Sequence, residues 1–322
     1  MHALSAGDVD LSTILTDMTL PNPVMTASGC AAAGRELHQF FDVADLGAVV
    51  TKSIMRDPRS GRPPPRMAET PSGMLNSIGL QGPGIDAFLA VDLPWLVRRR
   101  ARPIVSIAGS TLVEYAELAR RVGQSPGVTA VEVNISCPNV ENRGLVFACD
   151  PYQAAKVISV VRRETPPGLP VLAKLSPDVT SIVTVAESVM EAGATGLTLV
   201  NTLLGISIDT ESLRPVLGGV TGGLSGPAIR PVALRCVWQV HQAMPEVPVV
   251  GVGGIASGQD ALEFLLAGAS AVQVGTVIFN DPGAPMRVVA ELAAELATRG
   301  FAKAADAVGF AHRPARLPGD TG

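Results

Sequence analysis

The stretch VEVNISCPNVENRG, residues 131–144, places Cys137 three residues beyond Asn134 at the end of an apolar, β-branched run, with Pro138 directly behind the thiol. A free cysteine titrates near pH 8.5, close enough to neutrality for proton-transfer work. The plainer reading is an inert buried thiol, the commonest fate of cysteine. Proline stiffens the chain and removes a backbone donor, and this polar, proline-locked setting favours the reactive reading. Cys30, Cys149 and Cys236 have no such setting and are read as inert. Other chemically useful residues also stand just past apolar runs: Ser28 and Gly29, Lys52 and Ser53, Ser106, Lys174, Asn201 and Thr202, Gly253 and Gly254, Gly275 and Thr276. One such lysine would ordinarily snorkel to solvent. Two lysines and two asparagines at one apolar-walled site would be costly to bury without a ligand to satisfy them. They point to a bound anion or a reduced, negatively charged cofactor.

These residues need elements to position them. Apolar runs at residues 24–27, 48–51, 103–107, 130–135, 171–173, 196–200, 247–252 and 271–274 are continuous rather than alternating, as in buried parallel strands. Helical patterns lie between them at 112–122, 154–163, 179–192 and 257–267. In the last, Ser257 can cap, Asp260 stands three residues on, and Gly268 ends the helix. Eight strands alternating with helices predict α/β architecture, a (β/α)8 TIM barrel forming one domain over residues 1–322, with an N-terminal extension to about residue 20 and a frayed tail from about 313. A doubly wound open sheet is the rival.

Strand starts are mostly about 25 residues apart, but extra chain follows three strands, at roughly 53–94, 138–151 and 202–230. In a barrel such insertions rise from the C-terminal face, where active sites sit. RDPRSGRPPPR, residues 56–66, reads as an extended surface segment. There the strand-end residues converge. GVGGIASG runs from the seventh strand into a helix N-terminus and VGT ends the eighth, and backbone donors at these two positions favour a phosphate. GVGG alone would be as well explained by a tight turn.

Composition removes other classes. The chain has 322 residues, a formal charge of −4 and four scattered cysteines with no C-x-x-C pair. Mild acidity argues against nucleic acid. Free thiols fit a reducing cytoplasm. No apolar run reaches the roughly 18 residues of a membrane helix, and the N-terminus lacks a signal-peptide pattern. The four histidines, His2, His38, His241 and His312, lie away from the strand ends, so neither histidine catalysis nor a metal site is expected.

NISCPN at 134–139, NSIGLQGPG at 76–84, VTKS at 50–53, NTLLG at 201–205, GGLSGPAIRPVALR at 222–235 and GVGGI at 251–255 resemble dihydroorotate dehydrogenase, in that family's order and over nearly the whole chain. The resemblance implies a flavoprotein of pyrimidine biosynthesis that holds FMN and oxidises dihydroorotate to orotate. It implies Cys137 as base. It implies substrate contacts from Lys52, Asn76, Ser77, Ile78, Gly79, Leu80, Asn134, Asn201 and Thr202. It implies FMN contacts from Ser28, Lys52, Ser53, Ser106, Asn134, Lys174, Val200, Gly226, Gly253, Gly254, Gly275 and Thr276. Ser106 stands where the family usually has Asn, so its flavin contact would be shorter or water-mediated. The chemistry is consistent: asparagines offer the paired donors and acceptors that suit a cyclic imide, Lys52 suits a carboxylate, and Lys174 an anionic reduced flavin.

Cysteine as base and the missing membrane-binding extension resemble the soluble, cytoplasmic branch. GGVTGGLSGPAIRP looks like its NAD-linked type, in which an iron–sulfur FAD subunit would relay electrons to NAD around a homodimeric core. No dinucleotide fingerprint or cluster of four cysteines in this chain would do so itself. The alternatives are a fumarate-using enzyme, a dihydropyrimidine dehydrogenase-like barrel, and a non-catalytic ligand-binding barrel.

Overall fold

The computed structural model describes residues 4–135 and 150–314. Eight parallel strands form the centre: β1 (Val24–Thr26), β2 (Val49–Val50), β3 (Pro103–Ile107), β4 (Ala130–Asn134), β5 (Val171–Leu175), β6 (Gly196–Leu199), β7 (Val249–Val252) and β8 (Ala271–Val274). Each pairs with its neighbour in chain order, and β8 pairs with β1. Between β1 and β2 the sheet closes through a parallel bridge, Met25 to Ala48. Thr26 reinforces it, its hydroxyl donating to Val50 O and accepting from Val50 N. Gly47 is required at this seam, since a Cβ there would lie 2.3 Å from Asn22 O. The predicted barrel is therefore present and the open sheet is not.

Helices α1 (Leu93–Arg98), α2 (Leu112–Gly123), α3 (Pro151–Glu164), α4 (Ile182–Glu191), α5 (Arg230–Ala243), α6 (Gly258–Leu266) and α7 (Ala284–Thr298) surround the strands. The predicted capping box of α6 forms between Ser257 and Asp260. Only short 3-10 turns, Leu37–Gln39 and Val43–Asp45, connect β1 to β2. β5 runs two residues beyond the predicted 171–173, so Lys174 stands within the strand and does not snorkel.

The barrel interior is layered. On its lower half the inward side chains are apolar, with Met25, Val50, Ile104, Ala130, Leu172, Val250 and Ala271 in one cluster. The N-terminal hairpin, Thr13–Leu15 with Met18–Leu20, adds Leu15, Met18 and Leu20 to that cluster. Residues expected to be an extension thus plug the barrel floor. Two residues further along the strands, the inward positions become polar: Ser106, Glu132, Lys174, Thr198 and Gln273. Alternation along a strand makes this possible while the outward positions stay apolar against the helices.

Two of the three insertions are not merely loops. Met67–Thr70 and Gly73–Asn76 come from the segment after β2, Leu203–Ile206 and Thr221–Ser225 from the one after β6. Together they make a four-stranded antiparallel sheet. Residues 56–66 lie at the surface as expected, anchored by hydrogen bonds from Arg62 to Gly219 O and from Arg66 to Gln81.

Candidate active site

Between the antiparallel sheet and the barrel mouth lies a cavity of about 1090 Å³. Asn134 from β4, Lys174 from β5 and Gln273 from β8 reach its wall directly, and Lys52 and Ser53 reach it from the end of β2. Asn76, Ile78, Gly79 and Leu80 face it from the antiparallel sheet and the loop that follows. The structure brings together every predicted site residue that it describes except two. Ser106 is fully buried behind Ser53, bonding its hydroxyl at 3.0 Å, and is not part of the wall. Ser106 therefore does not reach the cavity itself. Ser77 is also off the wall, its hydroxyl buried toward Gly219. Cys137 lies outside the described residues.

A chain of polar side chains orders one side of the cavity. Ser28 and Ser53 hydroxyls are 3.3 Å apart, Asn134 Nδ2 donates to Ser53 Oγ at 3.0 Å, and Asn201 Nδ2 donates to Asn134 Oδ1 at 3.4 Å. Tyr115 OH, from α2, donates to the carbonyl of Asn134 at 2.8 Å and fixes the end of β4. Lys52 places its ammonium over Gly29.

Another part of the cavity lining is built from glycine turns. Gly254 (φ 74°) and Gly226 (φ 90°) adopt left-handed backbone that favours glycine, and a Cβ on Gly254 would meet Gly226 O at 2.7 Å. Gly253, Gly254, Gly275 and Thr276 all line the cavity, and Thr276 Oγ1 donates to Ser225 Oγ at 2.9 Å. This cradle fits a phosphate. The sequence had suggested that the N-terminus of α6 would contribute, and it does not: Asp260 accepts from Ala256 N and Ser257 N, and Glu291 accepts from Gly258 N. Asp260 N in turn donates to Ser257 Oγ, so these donors are taken up by the chain's own side chains.

Cys30 also lines the cavity. Burial pushes its thiol up to about 11, although Lys174 and Lys52 pull the other way. It is a neutral thiol at physiological pH, in keeping with its inert reading.

Sequence reasoning missed Glu132, which is fully buried and lies 3.7 Å from Lys174 Nζ. Its signal was a single charge inside the apolar run VEVN.

A closed parallel barrel with glycine turns, two lysines and an amide-lined cavity at its mouth defines a (β/α)8 barrel with a ligand-sized site on its C-terminal face. Comparison with known proteins narrows that class. The profile of the dihydroorotate dehydrogenase family matches residues 10–296, and the chain belongs to that family. Members of the family are flavin-dependent. Proteins named dihydroorotate dehydrogenase B (NAD(+)), catalytic subunit, are similar over most of their length. That of Geotalea daltonii is 50% identical over 300 residues, 93% of this chain and 97% of the relative. That of Desulforudis audaxviator is 50% identical over 305 residues, covering 95% and 98%. That of Anoxybacillus flavithermus is 48% identical over 291 residues, covering 90% and 92%. Among the described residues no helix is long and apolar enough to cross a membrane.

Proposed function

We propose that this chain oxidises (S)-dihydroorotate to orotate in pyrimidine synthesis, with FMN as the bound flavin, and that the electrons leave to NAD through an iron–sulfur FAD subunit. The observation that carries this reading is the convergence of Lys52, Asn76, Asn134, Asn201 and Lys174 on one cavity whose lining also holds Gly253, Gly254, Gly275 and Thr276. The single phosphate cradle supports FMN over a dinucleotide. When bound, FMN supplies a two-electron hydride acceptor for carbon 6 of the substrate.

The chain's own residues do the rest. Cys137, as thiolate, takes the proton from carbon 5, and the electrons of that C–H bond become the new carbon 5–carbon 6 double bond as hydride leaves carbon 6. Lys52 meets the substrate carboxylate. Asn76, Asn134 and Asn201 pair with the imide edge, which fixes carbon 5 toward the base. Lys174 offers positive charge where negative charge develops on the flavin.

The relatives are catalytic subunits by name, which supports a second subunit, here placed on a homodimeric core of this chain. Phe40, Met67 and Phe279 are exposed at the rim of the cavity and offer an apolar landing close to the cofactor. The purified chain should reduce an artificial dye with dihydroorotate but not NAD, and gain NAD reduction when co-expressed with the relay subunit. Efficient NAD reduction by the chain alone would remove the partner, and rapid turnover with fumarate would move it to the fumarate-using type.

A further inference from the structure

Glu132 sits behind the cavity wall rather than in it. Its Oε2 accepts from Gln273 Nε2 at 2.7 Å and from Thr198 Oγ1 at 3.2 Å. Its Oε1 has no hydrogen-bond partner among the described residues and faces Lys174 Nζ at 3.7 Å. Lys174 in turn donates to Gln273 Oε1 at 3.4 Å. Lys174 and Gln273 line the cavity, whereas Glu132 and Thr198 do not. Burying a carboxylate is costly unless it is paired and hydrogen-bonded. The barrel fold does not demand one here, because Ala130 on the same strand and Leu172 beside Glu132 fill interior positions with apolar side chains.

We propose that Glu132 is a positioning residue for Lys174. It pins the ammonium at the cavity floor and offsets part of its charge, so that a flavin above meets a tempered cation. This rests on the reading that the cavity holds flavin. Reduction adds negative charge to a flavin. A cation beneath it favours the reduced form, and a carboxylate behind that cation opposes it. Glu132 therefore holds the potential of the bound flavin below the value that Lys174 alone would set.

The test is the reduction potential of the bound flavin in the purified chain, measured by equilibration with a reference dye. Glu132→Gln should raise it by a shift equal to about tenfold in the reduced-to-oxidised equilibrium, about 30 mV for a two-electron couple. In a Lys174→Met background the same substitution should add little. A flavin-loaded Glu132→Gln protein with the wild-type potential would overturn the proposal. So would a shift of full size in the Lys174→Met background, since Glu132 would then act on the flavin directly. Should Glu132→Gln fail to fold, Glu132→Asp retains the charge but withdraws it by one methylene, and a smaller rise is expected. A wild-type potential in that variant would overturn the proposal equally. A wild-type chain that binds no flavin would instead sink the reading of the cavity itself.

Discussion

Asn134 Nδ2 donates to Ser53 Oγ at 3.0 Å, joining the tip of β4 to the end of β2 across 81 residues of sequence. Both side chains are buried. The bond ties β4 to the segment that carries Lys52, the proposed carboxylate anchor. Ser53→Ala removes this acceptor and with it the bond between the two strand ends, a loss of about 0.5–1.5 kcal/mol. The expected outcome is a rise in KM for dihydroorotate and weaker flavin retention, both measurable on the purified variant, in a protein that still folds.

Gly254 tests the cradle. Its φ of 74° and the 2.7 Å approach of a Cβ to Gly226 O leave no room for a side chain. Gly254→Asp adds a carboxylate to that clash and should empty the site of flavin. Flavin content per chain, read after heat release and chromatography, checks this and also reports whether the released flavin is FMN. A yellow variant with full occupancy would place the phosphate elsewhere.

How much of this was legible beforehand follows from which forces are local. Strand positions and the capping box of Ser257 and Asp260 were readable because continuous apolar runs and capping patterns are short-range signals. The convergence of Lys52, Lys174, Asn134 and Asn201 followed once eight strands implied a barrel, since strand ends then share one mouth. The antiparallel sheet above the mouth was not readable. Its two hairpins come from segments more than 100 residues apart, and Thr221–Ser225, which pairs locally with Leu203–Ile206, meets Gly73–Asn76 only across the fold. The availability of the α6 N-terminus was also misjudged, because Glu291, which takes Gly258 N, arrives from another helix. For Ser106 the family resemblance implies a flavin contact that is shorter than Asn's or water-mediated. Its short side chain is instead spent on Ser53.

Cys30 should behave as a protonated thiol. Burial raises it to about 11 in spite of the two lysines, and thiolate is the reactive form. Alkylation by iodoacetamide followed by peptide mass spectrometry should leave Cys30 unlabelled at neutral pH in the native protein. Ready labelling there would mean that the lysines outweigh burial.

His241 should make the fold acid-sensitive. Burial, with the neighbouring charge of His312, holds its pKa below the usual 6.5, and its Nδ1 is buried without a partner among the described residues. The unfolded chain therefore binds the proton more readily than the native one. The stabilising contribution is present above about pH 6.5 and is lost as the pH falls through the lower native value. Melting temperature measured between about pH 5 and 8 should drop on the acid side, and His241→Phe should flatten that drop. An unchanged slope would assign the acid sensitivity to other groups.

Rapid anaerobic mixing of the flavin-loaded chain with (S)-dihydroorotate, followed by flavin absorbance, tests the proposed reaction most directly. The wild-type flavin should bleach with dihydroorotate and not with dihydrouracil. Cys137→Ala should keep its flavin yet bleach about 10²–10⁴-fold more slowly, the usual cost of losing a general base. Cys137→Ser should fall between and improve at high pH. Bleaching of the Ala variant at the wild-type rate, or bleaching by dihydrouracil alone, would contradict the proposed chemistry.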